Sequence, residues 1–262
     1  MIRVACLGNS HAAAFKMGWD EMKISYPGVS IDFFAGAANT MKNLEVRDGR
    51  IFPTVPAVRE MFVAYGRQES IGAGYDLYLL AGLGFGLVPL MSLYAKHRPP
   101  RFYSRDSGNH LISEEMLREA RIHVFDKCAA IGTLGLVRSI TSDAPVYMLP
   151  NPLPSADILS NPALAFWSNE ELLSDCSAYL NEAVSRIQDA IYFPQPPATL
   201  EGTYLTKPAY AKEARLLKAR WTRPTNDGDP YHMNAAYGFD VLSELFTSAG
   251  ILPSKQADAQ TA

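Results

Sequence analysis

Cysteine is scarce, and its placement excludes most of what cysteine does. Cys6, Cys128 and Cys176 are the only three in 262 residues. They are odd in number, far apart and without a Cys-x-x-Cys pair, so neither a disulfide framework nor a zinc site is indicated, and each reads as a small buried apolar side chain. Net charge is scarce too: 24 Lys and Arg against 27 Asp and Glu leave −3, which gives no global attraction to nucleic acid or to an anionic membrane. The longest apolar stretch, Leu77 to Leu93, is broken by Gly82, Gly84, Gly86 and Pro89 and is no bilayer span. Those glycines also lack the Gly-x-Gly-x-x-Gly spacing of a nucleotide cradle and follow a mid-chain strand, which argues against phosphate binding. Met1-Ile2-Arg3 runs straight into the first predicted strand and leaves no room for a signal peptide, so a cytoplasmic, reducing location is expected.

What is present is 48% hydrophobic and 19% charged residues, with length enough for one large α/β domain. Strands are predicted at Arg3 to Leu7, Ser30 to Phe34, Leu77 to Ala81 and Pro145 to Leu149, each short and apolar, as strands of a covered parallel sheet are. Helices are predicted at Ala12 to Tyr26, Ser113 to Gly132, Glu170 to Tyr192 and Phe239 to Ala249, the last closed by Gly250 and Pro253. Asp48-Gly49 predicts a hairpin between Asn43 to Val46 and Arg50 to Pro53, an insert able to roof a site at the sheet edge. Thr199 to Leu205 reads as an edge strand. Ala209 to Trp221 reads as an amphipathic helix carrying Lys212, Arg215, Lys218 and Arg220, either a solvated face or a grip on an anionic group. Ser254 to Ala262 are small and polar and are expected to be disordered.

Two short motifs carry chemistry. Gly8-Asn9-Ser10-His11 closes the first strand and opens the first helix, so Ser10 sits where unpaired N–H groups and the positive end of a helix dipole could hold an oxyanion. Near the other end, Asp229-Pro230-Tyr231-His232 offers an imidazole base with a carboxylate three residues before it. Serine needs such a base to become a nucleophile, and the carboxylate would fix the imidazole tautomer. Taken singly the motifs have plainer readings, Ser10 as an N-cap and Asp229 as a turn residue. His11 competes for the role of base, but neighbours at a helix start point about 100° apart, which suits it better to lining a cleft. His97, His110 and His123 have no sequence-local partners and read as surface or structural.

The two motifs together resemble those of the SGNH hydrolases, also called GDSL esterases and lipases. Gly8-Asn9-Ser10 is similar to that superfamily's first block, Asp229-x-x-His232 to its last, and His232-Met233-Asn234-Ala235-Ala236-Tyr237-Gly238 to the pattern opening its final helix. The resemblance implies a three-layer α/β/α sandwich on a parallel sheet of about five strands, flavodoxin-like in plan. It implies Ser10 as nucleophile, His232 as base, Asp229 as its orienter, and the N–H groups of Ser10 and Gly36 as oxyanion donors. The third block departs from the pattern: Gly86 stands where an asparagine is expected, so either Asn39, Asn109 or Asn151 supplies that amide from another loop or the oxyanion hole works with backbone donors alone. His11, Asn39, Gly86 and Asn151 are therefore candidate cleft residues, and Pro150 to Pro154 read either as a cleft wall or as a purely structural strand exit. The implied activity is hydrolysis of a small O-acyl ester, with an acylated carbohydrate among the candidate substrates, without metal or organic cofactor. Transfer of the acyl group to a glycan hydroxyl, and a non-catalytic cleft that only binds, are the alternatives. The test between catalysis and binding is whether Ser10 and His232 converge.

Overall fold

The chain begins with a strand whose side chains alternate between two buried faces. In β1 (Ile2–Gly8), Val4 and Cys6 enter one core while Ala5 and Leu7 enter the other, the period-two pattern of a strand covered on both sides. The computed structural model describes residues 1–105, 108–218, 221–226 and 228–254. Four further strands join β1 in one sheet: β2 (Val29–Ala35), β5 (Leu77–Ala81), β6 (Val146–Leu149) and β7 (Ile191–Tyr192), after a separate hairpin of β3 (Leu44–Arg47) and β4 (Arg50–Pro53). The order is β2-β1-β5-β6-β7 with every neighbouring pair parallel. With the hairpin set aside this is the doubly wound order 2-1-3-4-5, and its switch point lies between the C-terminal ends of β1 and β5. Ser10 follows β1 there.

Helices complete three layers. On one face lie α1 (Ala12–Met22) and α7 (Ala235–Ser248), contributing Phe15, Trp19, Tyr237 and Phe246 to the core. On the other lie α3 (Leu87–Ser92), α4 (Glu114–Asp126), α5 (Ala129–Ile140) and α6 (Glu170–Ser185), while the short α2 (Pro56–Met61) packs beside β2. The expected three-layer α/β/α sandwich on five parallel strands is the fold observed.

One contact in this framework sets up the site. Helix α1 starts two residues after Ser10, and α7 starts three residues after His232, so their mutual distance fixes the distance between the two motifs. Glycines let their backbones touch: a Cβ on Gly238 would lie 1.9 Å from the Ala14 carbonyl oxygen, and one on Gly18 would lie 2.2 Å from the Phe239 nitrogen. Gly238→Ala must therefore push the helices apart. The expected result is a loss of about 1–3 kcal/mol in urea unfolding, the usual size of overpacking, despite alanine's better helix propensity.

Several sequence-based boundaries change. The single helix expected over Ser113 to Gly132 is two, with a break at Lys127 and Cys128. The helix expected over Glu170 to Tyr192 stops at Ser185, and Ile191–Tyr192 becomes the fifth strand. Thr199 to Leu205 yields only two-residue strands at Leu200–Glu201 and Leu205–Thr206. The basic helix expected over Ala209 to Trp221 is a hairpin instead, β8 (Arg215–Lys218) against β9 (Trp221–Pro224). Glu213 at φ 58° breaks the helical path, and Leu217 buries against Ala12, Ala13 and Ala35, a tertiary contact that outweighs local helix preference. The β3–β4 hairpin forms as expected but packs on α5, and it lines neither cavity at Ser10. Ser254 donates its N–H to the Ser25 carbonyl, and the rest of the expected tail, 255–262, lies outside the described residues. Among the described residues no helix is long and apolar enough to cross a membrane.

Candidate active site

Ser10 is not the N-cap of α1. The N-cap position is His11, without a side-chain cap, and Asn9 forms the turn before it, its Oδ1 accepting the His11 N–H at 3.2 Å and its carbonyl the Ala12 N–H at 3.0 Å. This leaves the Ser10 hydroxyl available, and its Oγ lies 2.9 Å from His232 Nε2. The N–H of Ser10 has no intramolecular partner among the described residues.

His232 is held from behind. After Gly228 at φ 76°, Asp229 turns back on its own loop, with Oδ1 accepting the N–H groups of Tyr231 (2.9 Å) and His232 (3.3 Å). This Asx-type turn directs Oδ2 to His232 Nδ1 at 2.7 Å. Burial pushes the Asp229 carboxyl upward, but hydrogen bonds from the His232 ring and the Tyr231 N–H outweigh it and hold the group below its ordinary value. Neighbouring segments brace the loop. The Ser155 N–H donates to the Pro230 carbonyl at 2.7 Å, and Asn234, capping α7 through its Oδ1 to the Tyr237 N–H, donates its amide to the carbonyls of Ala209 and Lys212. The residues read as a basic helix are thus a support for the His232 loop. Lys212 and Arg215 line a separate polar cavity of about 480 Å³ that reaches Asp229 but not Ser10.

The other expected site residues divide. His11 stacks on His232, with ring centroids 5.1 Å apart, and is buried. Its Nδ1 has no hydrogen-bond partner among the described residues. Burial, reinforced by the adjacent His232, pushes its pKa down to about 3 against a smaller upward pull from Asp229. It is therefore a neutral ring and no proton store near neutral pH. Between 6.5, the ordinary value, and about 3, the unfolded chain binds a proton at residue 11 that the folded chain does not. Stability therefore falls as pH drops through that window. His11→Phe is expected to flatten the fall by up to about 1.4 kcal/mol per pH unit, measured by urea titration at several pH values.

Of the asparagines named as substitutes for the one missing at Gly86, Asn151 lies beside Ser10 and His232. Its Oδ1 accepts the Gly84 N–H at 3.2 Å, which identifies the oxygen end and leaves Nδ2 as the donor, and the residue lines a cavity with Ser10 and His232. Gly86 does not face that cavity. It lies under Pro150, where a Cβ would come within 2.6 Å of the proline Cβ, and it adopts φ 109°, so glycine is required there for close approach of the chain. Asn39 is exposed on a 3₁₀ turn. The expected donor Gly36 is corrected: its N–H bonds the Gly8 carbonyl at 3.1 Å and extends the β1–β2 ladder. The next residue, Ala37, has an N–H with no partner among the described residues and shares a cavity with Ser10. No sequence signal distinguished Ala37 from Gly36, because the difference is one residue of ladder length. His97 and His110, read as unpartnered, face each other with centroids 5.7 Å apart, remote in sequence from both motifs. The three cysteines are all buried, and burial raises Cys6 to about 12. Among the described residues no three His, Cys, Asp or Glu side chains cluster in a metal-ligating arrangement.

Two cavities meet at Ser10. One, of about 330 Å³, is bounded by His232, Asn151 and the apolar or aromatic Val88, Phe166, Trp167 and Tyr231. The other, of about 230 Å³, is bounded by residues of α2 and β8 and not by His232.

No family model matches the chain. No curated protein matches it either. Solved structures do. The salicylyl-acyltransferase SsfX3 from a tetracycline biosynthetic pathway matches over 96% of this chain at 11% identity and TM-score 0.37. Phospholipase A1 from Streptomyces albidoflavus NA297 matches over 92% of this chain and 98% of its own at 14% identity and TM-score 0.47. Est24, a carbohydrate acetylesterase from Sinorhizobium meliloti, matches over 95% and 99% at 14% identity and TM-score 0.43. The chain spans 56% of the acyltransferase's length. These matches are esterases, lipases and acyltransferases. At such identities and scores the fold reading rests on the sheet order, and the site reading on the distances above.

Proposed function

We propose that this protein is a serine esterase of the SGNH type, cleaving small O-acyl esters through an acyl-enzyme. The observation that carries the reading is the hydrogen-bonded series from Ser10 Oγ through His232 to Asp229, at 2.9 and 2.7 Å, built at the switch point of a doubly wound sheet. His232 Nε2 would accept the Ser10 proton as Oγ attacks the ester carbonyl, and Asp229 would stabilise the resulting imidazolium. The oxyanion would be held by the N–H groups of Ser10 and Ala37 and by Asn151 Nδ2. His232 would then return the proton to the departing alcohol, and water, deprotonated by the same imidazole, would release the acid. The aromatic side chains in the larger cavity offer flat faces suited to a ring-bearing alcohol, which favours an esterified sugar or aryl group over a lipid. A sugar hydroxyl in place of water would make the same acyl-enzyme a transferase.

The reading extends to context. Three buried unpaired cysteines suit a reducing cytoplasmic compartment, and two cores sharing one sheet suit a single domain over residues 1–253. The experiment is turnover of an aryl acetate by the purified protein, with acetate and phenol released in equal amounts and a pre-steady-state burst of phenol. Asn151→Ala is expected to lower kcat by about 10²- to 10³-fold, the usual loss for one oxyanion donor, with a much smaller change in KM.

A further inference from the structure

The two cavities at Ser10 differ in one respect that assigns them. His232 lines only the larger. A base that takes the serine proton must return it to the leaving oxygen, so the alcohol lies on the His232 side. The acyl group, bonded to the same carbonyl carbon, must then point the other way. We propose, resting on the esterase reading above, that the smaller cavity is an acyl pocket for a short, unbranched, uncharged chain.

Its walls fit that role. Val58 and Met61 of α2 and Leu216 and Leu217 of β8 give it an apolar lining, and the exposed Ala57 also borders it. At about 230 Å³ it is smaller than the roughly 300–1,000 Å³ typical of a whole ligand site, which suits one part of a substrate. Glu60 also borders it and would repel an acyl group bearing its own carboxylate, such as a succinyl or malonyl half-ester. The donor N–H of Ala37 stands on this side of Ser10, so a carbonyl whose chain enters the pocket places its oxygen among the donors. The hairpin that replaces the expected basic helix thus contributes Leu216 and Leu217 to the lining of the pocket.

The test is a series of p-nitrophenyl esters from acetyl to decanoyl, with the leaving group held constant. In the wild type kcat/KM is expected to rise about three- to fourfold per methylene over the first few carbons, the value of a buried methylene, and then to fall once the chain outgrows the cavity. Ala57→Phe, at an exposed helical position that borders the cavity, adds bulk to the lining and should lower the butyryl-to-acetyl ratio about tenfold, on the order of the loss of two buried methylenes. Leu216→Ala should move the optimum to longer chains. Circular dichroism checks that both variants keep the fold. Profiles parallel to the wild type in both variants would overturn the pocket assignment while leaving the esterase intact. A wild type that turns over no ester and does not react with a fluorophosphonate would overturn the esterase reading and the pocket with it.

Discussion

Ser10→Ala and His232→Ala are each expected to lower kcat for an aryl acetate by about a millionfold, and the double variant by no more than either alone. On the proposed esterase mechanism the two side chains perform one operation. Without Ser10 there is no atom to attack, and without His232 Nε2, now 2.9 Å from Oγ, the hydroxyl keeps its proton and is a poor nucleophile. What survives in each variant is the slower attack of water on an ester held among the oxyanion donors. Fold should be unaffected, since Ser10 is not the cap of α1 and His232 is partly exposed. Losses that add in the double variant would mean that the two residues act independently, contrary to the shared proton.

Asp229→Asn is expected to lower kcat by about 10⁴-fold with little change in the loop. The substitution keeps an oxygen that can accept the N–H groups of Tyr231 and His232, as Asp229 Oδ1 does. The other atom becomes an NH₂ donor facing His232 Nδ1. To accept from it, Nδ1 must give up its proton, and the imidazole then carries its hydrogen on Nε2, where it cannot take the serine proton. The change is thus in tautomer rather than position. Steady-state kinetics alongside thermal unfolding separates the two: a large rate loss at nearly unchanged unfolding temperature is the expected pair of results. A comparable loss of stability would show instead that Asp229 serves mainly to hold the loop.

Much of this was legible in the sequence, for identifiable reasons. The strands were readable because a parallel strand covered on both faces is a continuous apolar run, as Leu77 to Ala81 is. Ser10, His232 and Asp229 could be put forward together because a serine at a strand exit and an Asp-x-x-His turn are residue types that suit one proton relay, and the fold brings them within hydrogen-bond distance. The fifth strand was not, because Ile191–Tyr192 is only two residues long and sits beyond an amphipathic pattern that reads as helix. The β8–β9 hairpin was hidden by helix-favouring Ala, Lys, Glu and Leu, whose preference yields to the burial of Leu217 against Ala12, Ala13 and Ala35. Gly36 was the expected donor because its position after β2 fits. That its N–H is already bonded to Gly8 depends on where the ladder stops, which no local pattern records. Asn151 could be named only as one of three asparagines, since its selection requires β5 and β6 to be adjacent and Gly84 to orient the amide.

The central claim is that Ser10 is an activated nucleophile. Its most direct test is intact-mass analysis of the protein after reaction with a fluorophosphonate, followed by peptide mapping. The account predicts one adduct per chain, located on Ser10, forming at least a thousandfold more slowly in His232→Ala on the order of the loss expected for a missing base. An unmodified wild-type protein, an adduct on another serine, or labelling of Ser10 at the same rate without His232 would contradict it.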